Sequence, residues 1–551
     1  MTTRPQNPSR SDPEANLPGS TPGREAPGEP LELNLEQLAE LVARLSALAE
    51  DGGKDTFPHP TGETRHLETH ISHVLLTGDF AYKFKKPVDF GFLDFSTAAR
   101  RAHFCAEEIR LNRRTAPDIY LDVARVTGSW REPRIDGDGP VLTQAVRMRR
   151  FNDALLLDHM LEQGEVDTLH AEAMAEAVAR MHASAQACDT EQPQGSPGAV
   201  WNPVQRNFDV LDGLSCVSAL RPRLAMLRMA ARGMHERLEG FLTRRKVDGF
   251  IRECHGDLHL GNMAWIDEHA VPFDAIEFSP ELRWIDVMSD AAFTTMDLEA
   301  RGEPGLAATF ISHYLDQTLD YAGAVGLRFY QAYRAMVRAK VTGLLLEQDG
   351  DRDRHDAIIG HYLDLAARYL AAEPAEGTGP ELFITRGASG CGKSTLAHRV
   401  TLLKGAVRIR SDRVRHSLEE STDRYDPDQR QRVYRAMADH ARGLLESGLS
   451  VVIDATFLAK AQRQPFFDLA RSLRVPCRII DIQAPADLLK SRIQARIAKG
   501  TDPSEAYPDL VDSQLSSADP LTEQEHQSTW TLDATDFQTA IRVLDAYLSE
   551  G

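Results

Sequence analysis

The sequence predicts an α+β unit followed by an α/β unit built on a parallel sheet, and three observations predict it. The chain has 551 residues, more than a single hydrophobic core organises, so two domains or three are expected. A short polar stretch with proline and glycine, AAEPAEGTGP at 371–380, separates two textures of sequence. Ahead of it strands come first and helices dominate later, whereas beyond it strand-like and helical runs alternate, the pattern of a parallel sheet covered by helices.

Composition narrows the function classes. Hydrophobic residues make up 42% and charged residues 26%, ordinary values for a soluble globular protein. Lys+Arg 63 against Asp+Glu 82 gives a net charge of −19, which argues against coating nucleic acid or an anionic membrane through bulk charge and leaves only a local basic channel. No run of about 18 apolar residues is present, and the N-terminus lacks the apolar stretch of a secretory signal. Six cysteines (105, 188, 216, 254, 391 and 477) are scattered without a C-x-x-C pair, which fits reduced thiols. A cytoplasmic protein is expected.

Along the chain, residues 1–30 are rich in Pro, Gly, Ser and Glu and read as a disordered tail. Leu33, Leu38, Leu41, Leu45 and Leu48 have helical spacing and predict a leading helix over 31–48. HVLL and FAYKFKK are strand-like runs joined by Thr77-Gly78-Asp79, a hairpin turn. A helix is expected over 97–114, followed by the strands IYLDVARV and VLTQAVRM. Residues 151–250 read as mostly helical with a break at 190–203, residues 251–278 contain short strands, and helices return from about 285 to 372. A linker over 373–380 then leads into ELFITRG, VRIRSD, SVVIDAT and CRIIDI, buried-strand patterns separated by helices over 381–551.

Chemistry concentrates in two places. In the second unit, Gly387-Ala388-Ser389-Gly390-Cys391-Gly392-Lys393-Ser394 satisfies G-x-x-x-x-G-K-[ST] between a strand and a helix, with Thr395 next in line. Glycines let backbone N–H groups wrap phosphates at a helix N-terminus. Lys393 would reach the β/γ-phosphates and the Ser394 hydroxyl would take Mg²⁺, so ATP or GTP binding is expected. Asp412 follows the strand VRIR, with Arg415 three residues on, and could serve an acceptor hydroxyl as base. Asp454 ends VVID, a position able to hold the Mg²⁺ shell. Arg492 and Arg496 share a helix face and could close over the transferring phosphoryl group, or stand as a solvated face. These segments, with the DPSEA run at 502–506, resemble AAA-domain P-loop kinases related to polynucleotide 5′-kinase, gluconate kinase and zeta toxin. The resemblance implies that the D-x-x-R pair holds a base and an acceptor-side arginine, and it leaves the acceptor class open.

In the first unit, His255-Gly256-Asp257-Leu258-His259-Leu260-Gly261-Asn262 has the spacing of a kinase catalytic loop. Asp257 would orient the acceptor hydroxyl, and Asn262 with Asp274 in VPFDAIEF would hold metal. Upstream, Lys83 stands in an A-x-K strand as the phosphate-gripping lysine, with Lys85 on the same face as the alternative. Its carboxylate partner should come from CAEEIRLNRR, Glu108 in preference to Glu107. No glycine-rich loop precedes these strands; Ser72 and nearby backbone N–H groups occupy that approach. Residues from about 57 to 345 resemble the aminoglycoside phosphotransferase family, which implies a bilobal protein-kinase-like fold over 31–372. HGDLHLGN, AYKFKKPVDFGFLDFST and the run to Asp286 and Asp290 resemble a bacterial subgroup often fused to a P-loop kinase. There Asp286 and Asp290 read as buttresses of the catalytic loop. The expected function is a phosphotransferase using ATP and Mg²⁺ at two sites on small-molecule hydroxyl acceptors. Two other readings stay open: a nucleotide-binding regulator with an inactive first domain, and a polynucleotide 5′-hydroxyl kinase using the arginines at 408, 410, 413 and 415.

Overall fold

The computed structural model describes residues 30–550 except 92, 216, 350–351, 372–378, 419–426 and 500–506. The expected tail up to residue 29, most of the linker and the DPSEA run therefore lie outside the described residues.

Helix α1 (Leu35–Glu50) starts four residues later than its leucine pattern, because Asn34 and Gln37 form a capping box there. Its Leu38, Leu41, Val42 and Leu45 are buried against a sheet of β1 (Thr64–Glu68), β2 (Ser72–Thr77) and β3 (Phe80–Lys85). After α2 (Ala98–Asn112), strands β4 (Tyr120–Gly128), β5 (Pro133–Ile135) and β6 (Val141–Arg149) complete the antiparallel sheet in the order β1-β2-β3-β6-β4-β5. The β2–β3 turn needs glycine: Gly78 has φ +55, and a Cβ there would lie 2.3 Å from the Pro60 carbonyl. Strand alternation sends Tyr82 and Phe84 to the α1 side of β3 and its lysines to the α2 side, which builds the first site.

A helical lobe follows: α3 (Leu157–Glu162), α4 (Thr168–Ser184), α5 (Pro197–Gly213) and α6 (Arg221–Val247). The sequence placed a break at 190–203, but the helix resumes at 197. Ser196 caps it and Pro197 fits its first turn, so Pro203 stands inside the helix. Strand β7 (Ile251–Glu253), the hairpin β8 (Met263–Ile266) and β9 (His269–Pro272), the short α7 (Pro280–Arg283) and β10 (Trp284–Asp286) carry the catalytic-loop segment. Helix α8 (Val287–Ala300) is buried on every side from Val287 to Leu298 and forms the centre of the lobe, flanked by α9 (Pro304–Thr318), α10 (Leu327–Asp349) and α11 (Arg352–Leu370).

The C-terminal unit has five parallel strands: β11 (Leu382–Arg386), then α12 (Lys393–Lys404), β12 (Val407–Arg410), α13 (Ser411–Ser417), α14 (Pro427–Glu446), β13 (Val451–Asp454), α15 (Lys460–Leu473) and β14 (Cys477–Gln483). It closes with α16 (Ala486–Lys499), α17 (Leu510–Ser516), α18 (Glu523–Gln527), β15 (Thr529–Asp533) and α19 (Phe537–Glu550). The sheet order is β12-β13-β11-β14-β15, with the phosphate-loop strand in the middle. One hydrophobic cluster joins the halves, running from Leu306 and Phe310 of α9 to Val407 and Ile409 of β12. No helix among the described residues is long and apolar enough to cross a membrane.

Candidate active sites

In the first site, β3 and α2 bring opposite charges together out of water. Lys83 Nζ lies 2.9 Å from Glu108 Oε1 and 2.5 Å from Asp274 Oδ1. Lys85 Nζ lies 2.5 Å from Glu108 Oε2 and also donates to Glu277. Glu108 is wholly buried, and burial alone would raise its carboxyl; the two ammonium groups hold it at about 2. Glu107 turns the other way, to Arg110 at 2.8 Å. Both lysines thus grip one carboxylate, and Lys83 is the one that also meets Asp274. Ser72 is the first residue of β2, directly opposite Lys85, and its hydroxyl is buried. The β1–β2 turn beside it is tied down by Lys86, which donates to Glu68 and to the Thr69 carbonyl, at 2.5 and 2.6 Å.

The catalytic loop is held from behind. Asp290 accepts from the backbone N–H of His255 and of Gly256 at 2.8 and 3.0 Å, and Arg334 donates to the Gly256 carbonyl at 2.8 Å. Asp286 serves differently, in a buried ion pair with Arg245 at 2.7 Å. Gly256 has φ +87, and a Cβ there would lie 2.8 Å from the Leu282 carbonyl, which explains glycine where protein kinases carry arginine. The Asn262 amide N–H₂ donates to the Asp257 carbonyl at 2.9 Å and to its Oδ2 at 3.2 Å, which turns the Asn262 oxygen the other way. Burial would raise the Asp257 carboxyl, but His259, 3.6 Å away, holds it well below the usual carboxylate range. Asp274 sits at φ +61, with its N–H donating to the Tyr120 hydroxyl at 3.1 Å. The oxygens of Asn262 and Asp274 are hard donors of the kind Mg²⁺ takes, and the Lys83 ammonium already neutralises Asp274 as a cation would.

In the second site, three glycines of the phosphate loop adopt positive φ, and Gly392, at φ +95, has the Phe537 ring 2.3 Å from where a Cβ would stand. The Lys393 ammonium donates to the Ala388 carbonyl at 2.9 Å, and the Ser389 N–H to Gln514 Oε1 of α17 at 2.8 Å. Cys391 is buried and its thiol is pushed up by burial, while Ser394 and Thr395 are exposed at the start of α12. Asp454 ends β13, buried and in register with Arg410. Asp412 lies in the first turn of α13 with Arg415 3.8 Å away.

Arg492, the expected lid residue, donates from its guanidinium to the Ala534 carbonyl at 2.8 Å and lies 5.8 Å from the Phe537 ring, which itself packs on Gly392 of the phosphate loop. Arg496 stands one turn on, partly buried. The arginine cluster is not a free basic surface. Arg410 and Arg413 reach Asp316 of α9 at 3.4 and 3.8 Å and serve the junction between the halves, where the Arg408 backbone N–H also donates to Ser312 at 2.9 Å; the Arg408 guanidinium donates instead to the Ser394 carbonyl at 3.3 Å.

Three relatives, uncharacterized proteins of Mycobacterium tuberculosis (two strains) and Mycobacterium bovis, are each 32% identical over 450 residues, covering 79% of this chain and 86% of theirs. The chain belongs to their family. Residues 382–521 match the AAA domain model. Among solved structures, a choline/ethanolamine kinase family protein from Mesorhizobium loti is 13% identical over 61% of this chain and 98% of its own, with a TM-score of 0.35. A gluconokinase from Sinorhizobium meliloti 1021 is 19% identical over 31% and 93%, with a TM-score of 0.25. The AAA domain match falls on the unit whose phosphate-loop strand lies at the centre of a parallel sheet, and the antiparallel sheet and helical lobe precede it.

Sequence reasoning missed Glu277, Arg334, Gln514 and Asp316. Glu277 carried a signal, an acid three residues beyond Asp274 in the same apolar run. The others act only through contacts distant in sequence.

Proposed function

We propose that the chain transfers the γ-phosphoryl group of ATP to hydroxyl groups of small molecules at two separate sites. The observation that carries this reading is that the Lys83–Glu108 pair meets Asp274, whose neighbour Phe273 donates its N–H to the Asn262 carbonyl of the Asp257–Asn262 loop at 3.0 Å. Phosphoryl transfer asks for positioning and charge neutralisation more than for covalent chemistry, and these groups supply both. Lys83, fixed by Glu108, would hold the α- and β-phosphates. Asp257 is ionised and accepts the hydrogen bond of the acceptor hydroxyl, aiming its oxygen at the γ-phosphorus. As the new O–P bond forms, the bond to the β-bridging oxygen breaks, and the hydroxyl proton passes to Asp257. Mg²⁺, held by Asn262 and Asp274, would neutralise charge on the phosphates. In the C-terminal half the phosphate loop and Lys393 would bind the triphosphate, Ser394 and Asp454 would hold metal, and Asp412 with Arg415 would receive the acceptor.

The test is Mg²⁺-dependent ATP consumption by wild type, Asp257→Ala and Lys393→Ala against pools of sugars, sugar acids, aminoglycosides and nucleosides. Each substitution should remove a different acceptor-stimulated activity, by about 100-fold or more. If Asp257→Ala changes nothing while Lys393→Ala abolishes all turnover, the first domain is a binding module and the two-site reading fails.

A further inference from the structure

Helices α4 and α9 and the 250–252 segment, which leads into the catalytic loop, enclose a cavity of about 640 Å³, a size that suits a small molecule. None of the candidate catalytic, phosphate-binding or metal-holding residues lines it. At its buried end stand His182 and Tyr314, joined at 2.9 Å. His182 Nε2 lies 3.2 Å from Asp290, whose two oxygens accept from the N–H groups of His255 and Gly256. Asp290 alone therefore separates the cavity from the catalytic loop. On the α9 side, Gln317 of the lining accepts from Arg413 at 3.3 Å, and Arg413 follows Asp412 in sequence.

The charges on its walls are unevenly matched. Arg252 is partly buried and spends three of its five N–H groups on backbone carbonyls. Its Nε donates to Gly249 at 3.2 Å, and its Nη1 to His182 at 2.7 Å and Ala183 at 3.1 Å. Among the described residues it makes no ion pair. Arg180 enters from α4, largely exposed, with Glu176 3.8 Å away, a contact that water screens. The carboxylates of the lining are engaged elsewhere. Glu176 also meets His313 at 3.3 Å, and Asp320 takes Arg245 at 2.6 and 2.8 Å. Two guanidinium groups are left to receive a ligand, so the ligand that fits is an anion. A carboxylate pairs best with an arginine by forking onto two of its nitrogens, and only Nη2 of Arg252 is open. A phosphate takes single contacts from separate directions, one from each arginine, and carries a second charge to match the second guanidinium. Ala179, Ala183, Phe250 and Val287 supply apolar wall for an organic remainder.

We propose that this cavity is a regulatory site for a phosphorylated small molecule, with its phosphate between Arg252 and Arg180 and its organic part against Phe250 and Val287. The ligand takes no part in phosphoryl transfer. It fixes Arg252, which holds the His182 carbonyl at the last turn of α4, and through His182 it steadies Asp290 and the backbone of the catalytic loop. Binding there does not depend on Asp257 being the base; only its effect on turnover does.

The test is calorimetric titration of the full-length chain, with both nucleotide sites saturated by a non-hydrolysable ATP analogue and Mg²⁺. Three probes serve: a pool of sugar monophosphates, inorganic phosphate, and a matched pool of sugar acids. Sugar monophosphates should bind at least tenfold more tightly than the other two, and Arg252→Gln or Arg180→Ala should each weaken that binding at least tenfold. Arg180 is exposed, so Arg180→Ala should keep the wild-type melting temperature and separates a lost contact from a lost fold. A compound bound as acceptor in either active site would not respond to Arg180. The binder should also slow amide exchange at 255–257 in wild type and leave it unchanged in Arg180→Ala. Binding that ignores both substitutions, a preference for sugar acids, inorganic phosphate bound as tightly as the sugar phosphates, or no binding overturns the proposal. Unchanged exchange at 255–257 on binding overturns its regulatory part. Arg180-dependent binding in a chain without Asp257-dependent turnover would defeat the catalytic reading and leave this site standing.

Discussion

Glu108 shows what a single carboxylate does in this chain. It is buried between Lys83 and Lys85, so removing its charge strands two ammonium groups away from water. Breaking a buried pair in this way costs about 3 kcal/mol or more. Glu108→Gln should lower stability by that amount in denaturant unfolding and sharply reduce the activity that depends on Asp257. Lys340→Met should do the opposite to stability, raising the melting temperature, since it removes a half-buried charge that makes no ion pair or hydrogen bond among the described residues. Glu253 gives a pH test. Burial would raise its carboxyl, but hydrogen bonds from Arg110 and Arg283 hold it at about 2, below the ordinary 4.5. Its contribution is therefore complete above pH 4.5 and is lost as pH falls towards 2. The stability gap between wild type and Glu253→Gln should shrink over that window, measured by urea unfolding at a series of pH values. At this scale the sequence was readable where chemistry is local. The catalytic-loop spacing and the phosphate loop could be read directly, whereas Glu107 and Glu108 differ only by one step around a helix. Burial, which no single sequence displays, places one in the cleft and the other on Arg110.

Elements constrain the sites through the few positions where backbone leaves no room for a side chain. Gly256→Ala would need a residue at φ +87 with its Cβ 2.8 Å from the Leu282 carbonyl. The catalytic loop must shift, so the Asp257-dependent kcat should fall at least tenfold, with a loss of about 1–3 kcal/mol in stability. In the phosphate loop, Gly392→Ala would drive a methyl into the Phe537 ring, 2.3 Å away, and ATP affinity at that site should fall at least tenfold. Titration with a fluorescent ATP analogue checks it, and unchanged affinity would show that α19 yields instead. Periodicity fixed the existence of these elements better than their ends. The leading helix and the 77–79 turn were legible, but α5 began within the expected break because Ser196 and Pro197 form a start signal that composition alone hides. Spacing put Arg492 on a helix face but could not say that the face looks onto Ala534 and onto Phe537, beside the phosphate loop.

Across the whole molecule, the junction between the halves is where sequence reading stops, because every contact there is long-range. The arginines of VRIRSDRVR looked like a basic patch for nucleic acid, yet the chain is acidic overall and turns two of them, Arg410 and Arg413, onto its own Asp316. Asp316, nearly buried and pushed up by burial, is the group they converge on. Arg413 lies between Asp412 and Arg415 on α13, so the N-terminal half holds the very segment proposed to receive the C-terminal acceptor. Helix α9 therefore ties the N-terminal half to that segment. Asp316→Ala should loosen that segment without touching either phosphate site. Amide exchange over 407–417 should quicken roughly tenfold, and the acceptor KM of the Lys393-dependent activity should rise while its ATP affinity holds. If exchange over β12 and α13 stays unchanged, the hydrophobic contact of Phe310 with β12 alone sets the junction, and Asp316 is a passive counter-ion rather than the tie that positions Asp412 and Arg415.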